Sequence, residues 1–174
     1  MIKIYPVKNL AIQIKLVNQL KSLIPNLAYV IAAPYEGAYF HQITALIDSM
    51  NLRKYIHLLG FRPDIPLVLS SFDVFVLTSL TEGTSMALLE AMQTGLPVVV
   101  SNVGGNSHII SNGQNGFLFD LQDPDMLKEY IMELYKDPKL RRNIGDKAAE
   151  TAKKYSVDHM ALQYKNEYCR LCSK

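Results

Sequence analysis

Charge of one sign, cysteine and long apolar runs are all scarce in this 174-residue chain, and each scarcity removes a class of function. Eighteen Lys and Arg against 16 Asp and Glu leave a formal net charge of +2 with no block of one sign, which gives little support to nucleic-acid binding by bulk electrostatics. No apolar stretch approaches the roughly 18 residues that a membrane span needs. The only cysteines, Cys169 and Cys172, cannot organise a disulfide framework. Without a second pair nearby, their spacing does not read as a metal site. Lys3, Lys8 and Lys15 interrupt the apolar N-terminus and no small-residue cleavage site follows, so no signal peptide is read and a cytoplasmic location is expected. Internal repeats, low-complexity segments and long linkers are also lacking, which leaves one domain over residues 1–174.

What is present has ordinary globular composition, 49% hydrophobic and 20% charged. Short β-rich runs near residues 2–5, 28–33, 55–58, 73–78, 97–100 and 116–119 alternate with helical patterns at 8–24, 39–50, 64–71 and 84–94, the rhythm of βα units. Runs such as "DVFVL" and "LPVVV" are almost continuously apolar, as strands covered on both faces are. The expectation is an α/β fold, a Rossmann-like parallel sheet of about six strands flanked by helices. Beyond Asp120 the strand pattern gives way to helices at 123–136, 138–154 and 156–172, the last two opening after an Asp-Pro pair and at Ser156. Val157, Met160, Ala161, Tyr164, Tyr168 and Leu171 form an apolar stripe on the last helix that needs a partner surface.

In open parallel sheets ligands sit beyond the carboxyl ends of strands, so the loops that follow strands are the candidates. In "TSLTEGTSMALLEAM", residues 78–92, Glu82, Gly83 and Thr84 lead from a strand into a helix, where exposed N–H groups can meet an anion. Locally, Thr84 or Ser85 reads equally as a helix cap. Glu90 has Met86, Ala87, Gln93 and Thr94 as its helical neighbours, none of them basic. A carboxylate there reads either as a solvent-facing Glu or as a group awaiting a partner such as a ribose diol. "SNVGGN", residues 101–106, carries a glycine pair that suits either a turn or a close approach to a ligand. It makes no GxGxxG fingerprint, so a nicotinamide cofactor is not expected. His41, His57 and His159 show no ligand spacing.

From Phe72 to Phe119 the sequence closely resembles the signature region of glycosyltransferase family 4, the large retaining GT-B group, with Glu82 and Glu90 matching its Glu-x7-Glu motif. "YPVKNL" resembles the family's first loop and "LLGFRPDIPLVLSSFDVFVLTS" its middle, so the likeness runs through nearly the whole chain. The resemblance implies the C-terminal, donor-binding domain of such an enzyme, with a helical extension and without the N-terminal acceptor-binding domain. Lys8 matches the lysine that contacts the donor diphosphate, and Lys3 stands where an arginine is usual, losing the bidentate fork. Glu90 matches the glutamate that binds the ribose hydroxyls, and Glu82 the one beside the donor sugar. Lys8 and Glu82 are therefore the implied catalytic pair. Gly83, Thr84 and Ser85 match the loop that meets diphosphate and sugar, with "EGTS" in place of the commoner "EGFG". Gly104 and Gly105 match the glycine pair, whereas His108 stands where a glutamate is usual. Gly60 and Phe61 resemble the loop beside the nucleobase, and Thr78 replaces a customary proline.

The resemblance thus implies retaining transfer of a sugar from a nucleoside diphosphate sugar to a hydroxyl acceptor, in polysaccharide or glycoconjugate synthesis. A UDP-sugar ranks ahead of a GDP-sugar as donor, and neither a cofactor nor a metal is expected. The isolated chain is expected to be inactive, self-associating through 156–172 or docking there on the absent domain. In a full-length enzyme the site is expected at the inner face of the membrane. The alternatives are a non-catalytic nucleotide-sugar-binding or assembly module and half of a sugar-nucleotide epimerase.

Overall fold

A computed structural model describes residues 5–172. A 3-10 turn at Pro6–Lys8 leads into α1 (Leu10–Leu20), and the chain continues β1 (Tyr29–Ile31), α2 (Ala38–Ser49), β2 (Ile56–Leu58), α3 (Ile65–Ser70), β3 (Phe75–Leu77). There follow α4 (Met86–Gln93), β4 (Val98–Ser101), α5 (Asn106–Ile109), β5 (Phe117–Phe119), α6 (Asp125–Lys136), α7 (Pro138–Lys153) and α8 (Val157–Cys172). The fold is α/β with parallel strands throughout, as the alternating pattern implies.

The sheet is smaller than expected. Among the described residues there are five strands in two ladders, β1–β2 and β3–β4–β5, in place of one sheet of about six. The strand expected at 2–5 falls on residues outside the described ones and on Tyr5, which is in no strand. The helix expected at 8–24 is shorter at both ends: Asn9 takes left-handed backbone (φ 50°), so α1 starts only at Leu10, and it ends at Leu20. α5, four residues long, lacks the span that a periodic pattern needs and went unread.

β4 is buried at all four positions, between α4 on one side and α6 on the other. On one face Leu88, Ala91 and Met92 of α4 pack with Val98, Val100, Ala148 and Ala152. On the other, Val99 joins Leu16, Leu20, Phe119, Leu127 and Leu134. Each fully buried aliphatic side chain of this kind contributes about 1.5–3 kcal/mol, so the core fixes the ends of β3 and β4 firmly. α4 closes with a Schellman arrangement: Gly95, at φ 75°, donates to the carbonyl of Met92 while Leu96 donates to Ala91. That turn holds α4 against α7, where Gly145 lies too close to the Gly95 carbonyl to admit a Cβ.

Asp137 caps α7 by accepting from the amides of Lys139 and Leu140, and Ser156 Oγ accepts from His159 N at the start of α8. α8 has no buried residue. Among the described residues no helix is long and apolar enough to cross a membrane.

Candidate functional site

Three loops converge at the carboxyl ends of β3 and β4: the turn Pro6–Lys8, the β3–α4 loop and the β4–α5 loop. The first two are joined by backbone, Leu80 N donating to the Val7 carbonyl at 2.8 Å. They are also joined by side chains, with Lys8 Nζ 2.6 Å from Glu82 Oε1 and the two side chains only 20% and 10% accessible. Ser79 Oγ donates to the same Oε1 at 2.6 Å, so one carboxylate oxygen accepts a lysine and a hydroxyl. Charge-assisted bonds of this length are about twice as strong as neutral ones, and the pair holds its geometry because so little water reaches it.

The third loop is locked on by its glycines. Gly105 N donates to the Glu82 carbonyl at 3.0 Å. A Cβ on Gly104 would overlap the Glu82 carbonyl oxygen, and one on Gly105 that of Gly83. Here the glycine pair lets two loops approach each other. Ser101 Oγ donates to the Ser79 carbonyl at 2.7 Å, and Asn106 Nδ2 donates to the Ser101 carbonyl at 3.0 Å, carrying the tie on to α5.

Ser85 is the N-cap of α4, its Oγ accepting from Leu88 N at 3.4 Å, so the cap reading holds for this residue. The other side of that loop is open: Gly83 and Thr84 are exposed, and no atom lies within 4 Å of a Cβ built on Gly83. The first amides of α4 lack partners within the helix and, with the helix dipole, present partial positive charge on that open side. Lysine, ordered carboxylate and helix N-terminus together make a surface suited to an anion with hydroxyl groups attached.

Glu90 lies farther along α4, half-buried, and among the described residues no hydrogen bond or ion pair reaches its carboxylate. His108, at the end of α5, is exposed. Gly60 and Phe61 belong to the other ladder, following β2. Gly60 is buried at φ 69° with the Tyr35 ring 3.3 Å from a Cβ built on it, and Phe61 is exposed. Tyr35 Oη donates to the Leu58 carbonyl, holding that ring in place. Among the described residues no hydrogen bond links Gly60 or Phe61 to the Lys8–Glu82 cluster. Lys3 lies outside the described residues.

Sequence reasoning missed Ser79, Ser101, Tyr35 and Gln13. Gln13 could have been noticed as the polar member of an otherwise apolar helical face. Its Nε2 donates to Thr78 Oγ1 at 2.7 Å while only 3% of the residue is accessible.

Residues 2–151 match the family model described as glycosyl transferases group 1. The chain is 41% identical over 117 residues to the UDP-Gal:alpha-D-GlcNAc-diphosphoundecaprenol alpha-1,3-galactosyltransferase of Escherichia coli, which covers 67% of this chain and 30% of that protein. It is 37% identical over 116 residues to the N,N'-diacetylbacillosaminyl-diphospho-undecaprenol alpha-1,3-N-acetylgalactosaminyltransferase of Campylobacter jejuni, covering 67% and 31%. Among solved structures, HepE from Anabaena in complex with UDP superposes with a TM-score of 0.90 over 98% of this chain and 47% of that one, at 24% identity, a likeness of fold. The chain therefore spans between 30% and 47% of the length of these matched proteins.

Proposed function

The chain belongs to the glycosyl transferases group 1 family, and we propose that it is the domain that binds the nucleotide sugar in a retaining transferase. The observation that carries this reading is the convergence of Lys8, Glu82, the Gly83–Thr84 edge and the start of α4 at the carboxyl ends of β3 and β4. Lys8 and the first amides of α4 take the donor diphosphate and stabilise its charge as it departs. Glu82 positions the sugar, with Thr84 on the open side of the same loop. Glu90, a half-buried carboxylate without a protein partner among the described residues, accepts hydrogen bonds from the ribose hydroxyls. Gly60 and Phe61 lie beside the base, and His108 borders the donor.

UDP-sugars are the first donors to test and GDP-sugars the second, since the Escherichia coli relative is named for UDP-Gal. Both curated relatives are named for acceptors linked to diphosphoundecaprenol, which supports a hydroxyl acceptor on a glycoconjugate at the cytoplasmic face of the membrane. The acceptor-binding half is a separate domain outside this sequence, and the chain alone binds donor weakly with negligible turnover. α8 exposes Val157, Met160, Leu162, Tyr164, Tyr168 and Leu171, and in the isolated chain it pairs with a second copy.

Calorimetric titration with uridine, guanosine and adenosine diphosphates tests the reading. Selective binding that weakens about five- to 150-fold in Glu90→Ala is expected for a lost ribose contact. Absence of binding at millimolar nucleotide, or binding indifferent to Glu90, overturns the donor-site reading in this chain.

A further inference from the structure

Three consecutive carbonyls of the turn that carries Lys8 are tied to two residues just after β3, Thr78 and Leu80. The Val7 carbonyl accepts from Leu80 N, and those of Lys8 and Asn9 both face Thr78 Oγ1 at 3.0 Å. A hydroxyl has one proton, so Thr78 shares it between the two carbonyls, and its oxygen in turn accepts from Gln13 Nε2 at 2.7 Å. Thr78 is fully buried and Gln13 is 3% accessible, so water cannot replace either partner. Asn9 sits in left-handed backbone, a conformation that asparagine adopts more readily than most non-glycine residues. Its carbonyl is bonded by the Thr78 hydroxyl.

We propose that Gln13 and Thr78 are positioning residues for Lys8, fixing the backbone of its turn so that its ammonium lies against Glu82 and the open edge of the donor loop. The inference rests on the donor-binding reading for its consequence, but its mechanical part concerns only the Lys8–Glu82 pair. Neither residue reaches Lys8 Nζ, so both act through the backbone. The Thr78 hydroxyl and the Ser79 hydroxyl, on adjacent residues, thus order the two halves of the pair: one the lysine through its carbonyl, the other the glutamate directly.

The mechanical part is tested by double-mutant cycles of Lys8→Met and Glu82→Met, read by urea unfolding in the wild-type, Thr78→Val and Thr78→Ser backgrounds. The coupling between Lys8 and Glu82 is expected to fall by more than half with valine and to survive with serine. Gln13→Met, which keeps the Thr78 hydroxyl and removes its donor, is the second background should valine not fold, and it is expected to lower the coupling too. A coupling unchanged in whichever of these backgrounds folds overturns the proposal, even if stability falls. In UDP titrations Thr78→Val is expected to weaken affinity about five- to tenfold in the wild type and not at all in Lys8→Met. A loss of equal size in both would mean that Thr78 does not act through Lys8. If the wild type binds no nucleotide, the donor-binding reading fails while the unfolding cycles still decide the positioning role.

Discussion

Lys8 Nζ and Glu82 Oε1 lie 2.6 Å apart although 74 residues separate them in sequence, one from the turn before α1 and the other from the loop before α4. Removal of the lysine leaves a carboxylate that is only 10% accessible, with Ser79 as its one remaining side-chain partner among the described residues. Lys8→Met is therefore expected to lower unfolding stability by about 2 kcal/mol, the scale of a hydrogen bond to a charged group. Glu82→Gln, which still accepts from Ser79 and Lys8, is expected to cost less. Urea unfolding of the two variants compares them, and the reverse order would mean that the lysine is not the principal partner.

The contact between the two donor loops gives a glycine-specific prediction. Gly105→Ala puts a methyl into the Gly83 carbonyl and is expected to destabilise by about 1–3 kcal/mol, as overpacking does. Gly83→Ala meets nothing within 4 Å and is expected to melt close to the wild type. Thermal unfolding of both decides whether the loops are clamped as described.

α8 has no buried residue, so truncation after Ser156 is expected to leave the unfolding midpoint of the remaining domain nearly unchanged. The same truncation is expected to abolish concentration-dependent self-association in sedimentation velocity. A large fall in midpoint would mean that α8 supports the core in solution.

Asp64 is bonded by both prongs of Arg62, and Asp48 likewise by Arg53, which holds each carboxyl below its ordinary value. A depressed folded pKa contributes stability above the unfolded value, and that contribution is lost as pH falls through the folded one. Carboxyl carbon NMR titration is expected to find both groups ionised at a pH where ordinary aspartates have half-protonated. Arg62→Ala should return Asp64 to the ordinary range. Both pairs are exposed at the surface, so the effect on global stability is small.

Local pattern made much of this legible. The apolar runs at 73–77 and 96–100 gave β3 and β4, and Pro138 and Ser156 marked where α7 and α8 begin, because these signals lie within a few residues of what they determine. The motif residues Glu82 and Gly83 also stood out, since glycine beside a helix start is a local signature. The partners of these residues did not. Glu82 meets Lys8 and Ser79, and Thr78 meets Gln13, across 74, 3 and 65 residues; only the Ser79 contact is short enough to lie within one loop. The glycine pair suits either a turn or an approach to a ligand in sequence alone, and its contact with the carbonyls of Glu82 and Gly83 is revealed only by the packed loops. Five of the six expected strands are present and the sixth falls almost wholly outside the described residues, but the division into two ladders was not legible because a short apolar run says nothing of which neighbour it will pair with.

The most direct test of donor binding is a UDP titration followed by backbone amide NMR shifts of the isolated chain. Donor binding predicts saturable shifts, at up to millimolar nucleotide, concentrated at Gly83, Thr84, Ser85 and the first turn of α4, with Gly104 and Gly105 following through the loop contact. Shifts absent throughout, or confined to α8, would contradict it.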